Sequence, residues 1–257
     1  MDTSALTATP NGVVIAYRDS APRGAGSGEG KGVPVMLVHG MGGDARTWDR
    51  FARRLTAAGR RVVAVDLRGH GRSARTSSYR FSEFAADVAG LCEHLGIDAV
   101  DLVGHSLGGH TGSLMAQQYP GLVRRLVLEE APLPLREHDP VPEIPSHRPT
   151  PAELWHAMTS MARNPRAVFA FDRSMTESVI SQFRTPNPMW WEELPGLKSP
   201  TLLLRGVHRG SMVDPHLLAD ALSLLPNGAV REIPCGHSIH RDRSAEFAGT
   251  VLPFLTD

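Results

Sequence analysis

Short apolar runs and longer amphipathic stretches take turns along the chain. Residues 33–38, 61–67, 100–103, 123–130 and 201–205 are short and rich in valine and leucine, with little polar alternation. All five read as strands, and the wholly apolar run 33–38 suits one buried on both faces. Between them, residues 46–58 carry Trp48, Phe51 and Leu55 at helical spacing. Residues 81–95 form a second amphipathic stretch, closed by Gly96. Residues 109–119, 215–225 and 241–255 predict three more helices, 12–17 an early strand at an edge, and 229–233 a last strand. Strand followed by helix, repeated, predicts an α/β architecture: a mostly parallel central sheet of about eight strands flanked by helices.

That rhythm breaks after Ala131. Prolines at 132, 134, 140, 142, 145, 149 and 151 cannot all fit inside a helix or a central strand. The spacing predicts an extended excursion over 132–149, short helices over 151–161, 167–175 and 176–183, and a link back over 186–195. The chain therefore divides into a core domain, residues 1–131 and 196–257, and a lid insertion, residues 132–195. The insertion is rich in methionine and aromatic residues, among them Trp155, Phe169, Met175, Trp190 and Trp191. Most are expected to form the insertion's own small core, with a minority reaching an apolar pocket.

Composition changes this picture mainly by exclusion. Lys+Arg and Asp+Glu both number 27, so the formal charge is zero and nothing points to nucleic acid or an acidic membrane. No apolar stretch approaches the ~20 residues of a membrane helix, and residues 1–12 lack the basic start and apolar run of a secretory signal. Cys92 and Cys235 make no disulfide framework, so a cytoplasmic location is expected. The Gly-rich stretch 23–32 fails the phosphate-loop spacing and reads as a solvated turn.

The candidate chemistry centres on Gly104-His105-Ser106-Leu107-Gly108, which fits G-x-S-x-G between a buried strand and a helix. A serine at such a turn sits in strained backbone, and neighbours without a Cβ let strand and helix close around it. A serine hydroxyl needs a base, an acid to orient that base, and preorganised donors for developing negative charge. In an open parallel sheet these groups converge at the carboxyl ends of strands. His237, in Cys235-Gly236-His237 after the last strand, is the candidate base, and His240 its rival. A metal pair from His237 and His240 lacks a third ligand. The backbone N–H groups of Met41 and Leu107 are the candidate oxyanion donors, Met41 following His39-Gly40 at the end of the first central strand. His39, Gly40, His105, Trp155, Phe169 and Trp190 are the expected pocket residues. Asp66 and Arg68 look catalytic by type, but the Asp66 carboxylate is expected to satisfy loop backbone donors instead. Cys235 reads as a packed small residue.

Four motifs in order carry a resemblance: His39-Gly40 after a strand, the segment Asp66-Leu67-Arg68-Gly69-His70-Gly71-Arg72-Ser73, Gly104 to Gly109, and Gly236-His237. Across nearly its full length the chain resembles the α/β-hydrolase fold superfamily. The resemblance implies a serine hydrolase that cleaves a carboxylic ester, lactone, thioester or amide of a small apolar substrate, with no cofactor, as a monomer or homodimer. In most of that superfamily the acid follows the strand after the lid in a G-x-x-D pattern. Here Gly206-Val207-His208-Arg209 puts a cation in that place. Some members carry the acid at the preceding strand end, where Glu130 falls; Asp214 is the alternative. Ser106 argues against members that use an aspartate nucleophile. A non-catalytic binder of apolar ligands, a carbon–carbon bond hydrolase, and a lyase or cyclase stay open.

Overall fold

The computed structural model describes residues 5–21, 32–140, 158 and 171–256. Its eight strands are β1 (Leu6–Ala8), β2 (Ile15–Asp19), β3 (Val35–Val38), β4 (Val62–Val65), β5 (Val100–His105), β6 (Val123–Glu129), β7 (Thr201–Gly206) and β8 (Gly228–Ile233). They form one sheet in the order β1-β2-β4-β3-β5-β6-β7-β8. The pairs β1–β2 and β2–β4 are antiparallel, and every other pair is parallel. The early strand expected at an edge is covered by β1, a three-residue strand too short to carry a periodic signal.

Strand alternation sorts the core into two faces. Met36, Val38, Leu102, Leu126, Leu128 and Leu203 point to one side. There they meet α2 (Phe81–His94) and α3 (Leu107–Gln118). Val35, Leu37, Val103, Val127, Leu202 and Leu204 point to the other, toward α1 (Asp49–Ala57) and the closing helices. The α1 entry is a 3-10 turn, Ala45–Trp48, whose Asp44 side chain caps Arg46 N–H.

Between β6 and β7 the described part of the insertion holds α4 (Met175–Arg184) and α5 (Pro188–Glu193). The link expected over 186–195 is thus partly helical: the Asn187 side chain accepts from Trp190 N–H, and Pro188 takes the first turn, where its missing N–H costs nothing. Met175, Trp190 and Trp191 are buried in the main core beside α2 and α3 residues, rather than in a core of their own. Trp191 Nε1 donates to the Pro134 carbonyl at 2.9 Å and Asn187 N to Leu135 at 2.8 Å, so the two ends of the excursion are stitched together. The helices expected over 151–161 and 167–175 lie largely outside the described residues.

After β7 come α6 (Pro215–Leu224), α7 (Ile239–Asp242) and α8 (Ser244–Thr256). The closing helix expected to begin at Arg241 is split, because Arg243 leaves helical backbone (φ −125°, ψ 46°). No helix among the described residues is long and apolar enough to cross a membrane.

Two glycines show how tightly the centre is closed. A Cβ on Gly104 would lie 2.3 Å from the Gly108 carbonyl oxygen, and one on Gly108 would lie 2.3 Å from that of Val38. Both obstacles are backbone, which cannot swing aside. Gly108→Ala is expected to cost about 3 kcal/mol in urea unfolding. Gly249→Ala, exposed in α8 with open space around its Cβ, is expected to stabilise by about 0.5–1 kcal/mol.

Candidate active site

The carboxyl ends of five neighbouring parallel strands bring the candidate residues to one edge of the sheet. Register makes the alignment concrete: Val38 pairs with Gly104, and His105 with Glu129. Continuing each strand by a residue or two sets the loop after β3, Ser106 and Glu130 side by side. Ser106 N–H donates to the Glu129 carbonyl at 2.9 Å, and Glu130 N–H to that of Leu204 at 2.9 Å.

Ser106 has φ 52° and ψ −118°, in the region where a side chain is strained. Among the described residues, only Asn11 and Glu130 share a positive φ without being glycine. Two of these three strained residues are therefore the candidate nucleophile and the candidate acid. The first turn of α3 leaves the Leu107 N–H without an intrahelical partner. Gly40 packs against the same place: a Cβ there would lie 2.7 Å from His105 Nδ1 and 3.1 Å from Ser106 Cβ. In the loop after β3, Gly42 N–H donates to His70 Nε2 at 3.1 Å and Gly43 N–H to the Gly40 carbonyl at 3.0 Å. That leaves the Met41 N–H uncommitted among the described residues.

Glu130 is fully buried and accepts four hydrogen bonds. Gly206 N–H (2.6 Å) and the Ser211 hydroxyl (2.8 Å) reach Oε1; Met212 N–H (2.8 Å) and His237 Nδ1 (3.3 Å) reach Oε2. A carboxylate only accepts, so the His237 proton sits on Nδ1 and Nε2 is bare. The His237 ring remains partly open to solvent. The loop after β7, which carries Arg209 in place of the usual acid, serves instead as a cradle of donors for Glu130. Asp214 is engaged elsewhere: it is the N-cap of α6, accepting from His216 N–H at 2.8 Å and Leu217 N–H at 3.1 Å. Arg209 is exposed.

Several expected pocket residues have other duties. His39 is fully buried, its Nδ1–H donating to the Gly40 carbonyl at 2.7 Å while Nε2 accepts from Leu67 N–H at 3.1 Å. It shapes the loop rather than lining a pocket. His105 is buried, and its Nε2–H donates to the His237 carbonyl at 2.8 Å. Trp190 packs in the core, its indole N–H donating to Ser113 Oγ of α3 at 3.0 Å. Trp155 and Phe169 lie outside the described residues. Asp66 does satisfy loop donors, accepting from Ala45 N–H (2.7 Å) and Arg72 N–H (3.0 Å), while Arg68 makes a forked pair with Asp87. Cys235 is buried, which pushes its thiol up to about 12 and leaves it unreactive.

Sequence reasoning passed over the pairing of His240 with Glu129. Glu129 is fully buried and takes both the backbone N–H and Nδ1 of His240, at 2.7 to 2.9 Å. The signal was available: two consecutive glutamates at one strand end and two histidines three residues apart. His105, Glu129 and His240 bring three metal-ligand atoms within 4.8 Å of one another. Glu129 is already spent on the backbone N–H and Nδ1 of His240, and His105 Nε2 on the His237 carbonyl, and we assign the cluster no metal.

Burial holds His39 at about 4 and His70, His105, His110 and His240 at about 3, all neutral near pH 7. Unfolding frees each to titrate near its ordinary 6.5, so below that pH the unfolded chain binds more protons and stability falls. Burial raises Glu129 from 4.5 to about 7, which works the opposite way between those two values. Burial also raises Asp44, Asp66 and Asp87, which oppose the drop as Glu129 does; five imidazoles outweigh these four carboxyls, and Tm is expected to drop as pH is lowered from 6.5 to 4. A Tm that stays flat over that window would contradict the assigned neutrality.

Comparison with known proteins agrees with this fold. The family described as alpha/beta hydrolase fold matches residues 33–189. An sn-1-specific diacylglycerol lipase of Mus musculus is 28% identical over 86% of this chain and 80% of its own. A 2-hydroxymuconate semialdehyde hydrolase of a Pseudomonas species is 28% identical, over 89% of this chain and 88% of its own. Among solved structures, a bacterial membrane phospholipase A superposes with a TM-score of 0.75 at 28% identity, over 98% of this chain and 85% of its own. The enol-lactonase of Burkholderia xenovorans LB400 shares the fold with a TM-score of 0.77 at 24% identity, over 98% of this chain and all of the other. Sheet order, strained serine and family match agree: the chain belongs to the alpha/beta hydrolase fold family.

Proposed function

We propose that the protein is a serine hydrolase that cleaves a carboxylic ester or related acyl bond of a small apolar substrate. Ser106 attacks the carbonyl carbon while His237 Nε2 takes its proton, and Glu130 holds the resulting imidazolium. The Met41 and Leu107 N–H groups receive the oxyanion. Collapse expels the alcohol, which takes its proton from His237. Water, activated by the same imidazole, then attacks the acyl-enzyme and releases the acid. No step calls for a cofactor.

The observation that carries this reading is the buried, fourfold-bonded Glu130 at 3.3 Å from His237 Nδ1. A binding-only reading leaned on Arg209 standing where an acid is expected, and Glu130 supplies that missing carboxylate. The insertion between β6 and β7, with its apolar aromatics, is read as the lid that selects the substrate. A carbon–carbon bond hydrolase is the second reading, favoured by the similarity to a 2-hydroxymuconate semialdehyde hydrolase. Turnover of a series of p-nitrophenyl esters beside a ring-cleavage dienoate separates the two. Ester hydrolysis that needs both Ser106 and His237 supports the first; cleavage of the dienoate alone supports the second.

A further inference from the structure

Behind the candidate triad lies a second carboxylate–imidazole pair. β6 ends in Glu129, Glu130 follows it at once, and the two side chains leave on opposite faces. Glu130 turns toward His237; Glu129, in phase with Val127, points into the core layer that holds Trp48 and Phe247. There His240 lies flat on Trp48, ring centroids 4.2 Å apart. Its Nε2 is buried without a partner, so the ring proton belongs on Nδ1, where Glu129 accepts it: a bare lone pair costs less to bury than an N–H. Glu129 also takes the His240 backbone N–H. Three residues before His240, the His237 carbonyl accepts from His105 Nε2–H at the end of β5.

We propose that Glu129, His240 and His105 are positioning residues that dock the His237 segment onto the ends of β5 and β6 and so set the reach of its imidazole toward Ser106. The proposal rests on the reading of Ser106, His237 and Glu130 as a triad. Residues 237 and 240, three apart in the chain, are matched to carboxylates 130 and 129, one apart at the strand end. His105, next to Ser106, fixes the carbonyl of His237 itself. The segment is held at three points, two from the sheet and one from the nucleophile's own neighbour. None of these groups touches the reacting atoms.

The test compares Glu129→Ala, His240→Leu and His240→Asn in the full chain, by turnover of a p-nitrophenyl ester and by labelling with a fluorophosphonate. An asparagine amide can stand where Nδ1 stands and donate to Glu129; leucine cannot. Glu129→Ala and His240→Leu are expected to lower kcat and the labelling rate constant by about 10- to 100-fold, the penalty of a small misplacement of a catalytic group. KM should stay within about twofold, the labelled fraction should remain full, and His240→Asn should recover most of the loss. Wild-type labelling rates in the first two variants would overturn the proposal. So would a fall in labelled fraction at an unchanged rate constant, which is what loss of folded protein alone produces, or His240→Asn behaving as His240→Leu. Turnover that survives Ser106→Ala would instead strike the triad reading itself.

Discussion

Ser106→Ala is expected to lower kcat for ester hydrolysis by about 10⁵-fold or more while KM changes little. The removed oxygen is the atom that becomes covalently bound, so no neighbour can substitute for it. The two hydroxyls of α3 are buried and engaged: Thr111 donates to the Leu107 carbonyl, and Ser113 accepts from the Trp190 indole and donates to the His110 carbonyl. The residual rate then measures what the Met41 and Leu107 donors achieve with water alone. The fold should survive, because alanine keeps the Cβ that already sits at φ 52°. Circular dichroism and a urea curve check that, and a residual rate within tenfold of wild type would remove Ser106 from the chemistry.

Glu130→Gln is expected to cost about 10³- to 10⁴-fold in kcat, against less than about twofold for Asp214→Asn. The contrast follows from the partners. Both carboxylate oxygens of Glu130 accept from N–H groups, Gly206 on one and Met212 with His237 on the other. A glutamine must turn its NH2 against one of those sides whichever way it lies. In one orientation it opposes the His237 Nδ1–H and forces the imidazole into the tautomer whose Nε2 is protonated and useless as a base. In the other it meets the Gly206 N–H, at a cost of about 1–3 kcal/mol. Asparagine caps a helix as well as aspartate does, so Asp214→Asn leaves α6 intact. The reverse order of the two variants would move the acid to Asp214.

Much of this was legible in the sequence because parallel sheets write themselves plainly. Residues 33–38, 62–65 and 126–128 are apolar on both faces, and the glycines at 104 and 108 mark a turn that tolerates no Cβ. Ser106 and His237 follow from position at strand ends. What stayed hidden depends on hydrogen-bond partners distant in the chain. Glu130 and Asp214 are both carboxylates near the right strands; only the three donors from Gly206, Ser211 and Met212 and the N-cap geometry of Asp214 separate their roles. His39 and His105 look like pocket residues by neighbourhood, yet His39 spends both ring nitrogens on backbone and His105 spends Nε2 there. Trp190 sits in an aromatic-rich insertion, and nothing in its spacing tells the pocket from the core that holds it. The β1 strand is three residues long and carries no period at all.

The most direct test of the account is fluorophosphonate labelling followed by peptide mapping, in the wild type and in His237→Ala. The account predicts a single adduct on Ser106, formed at a rate that falls by orders of magnitude when the imidazole is removed. An adduct elsewhere, or one on Ser106 that forms as fast without His237, would contradict it.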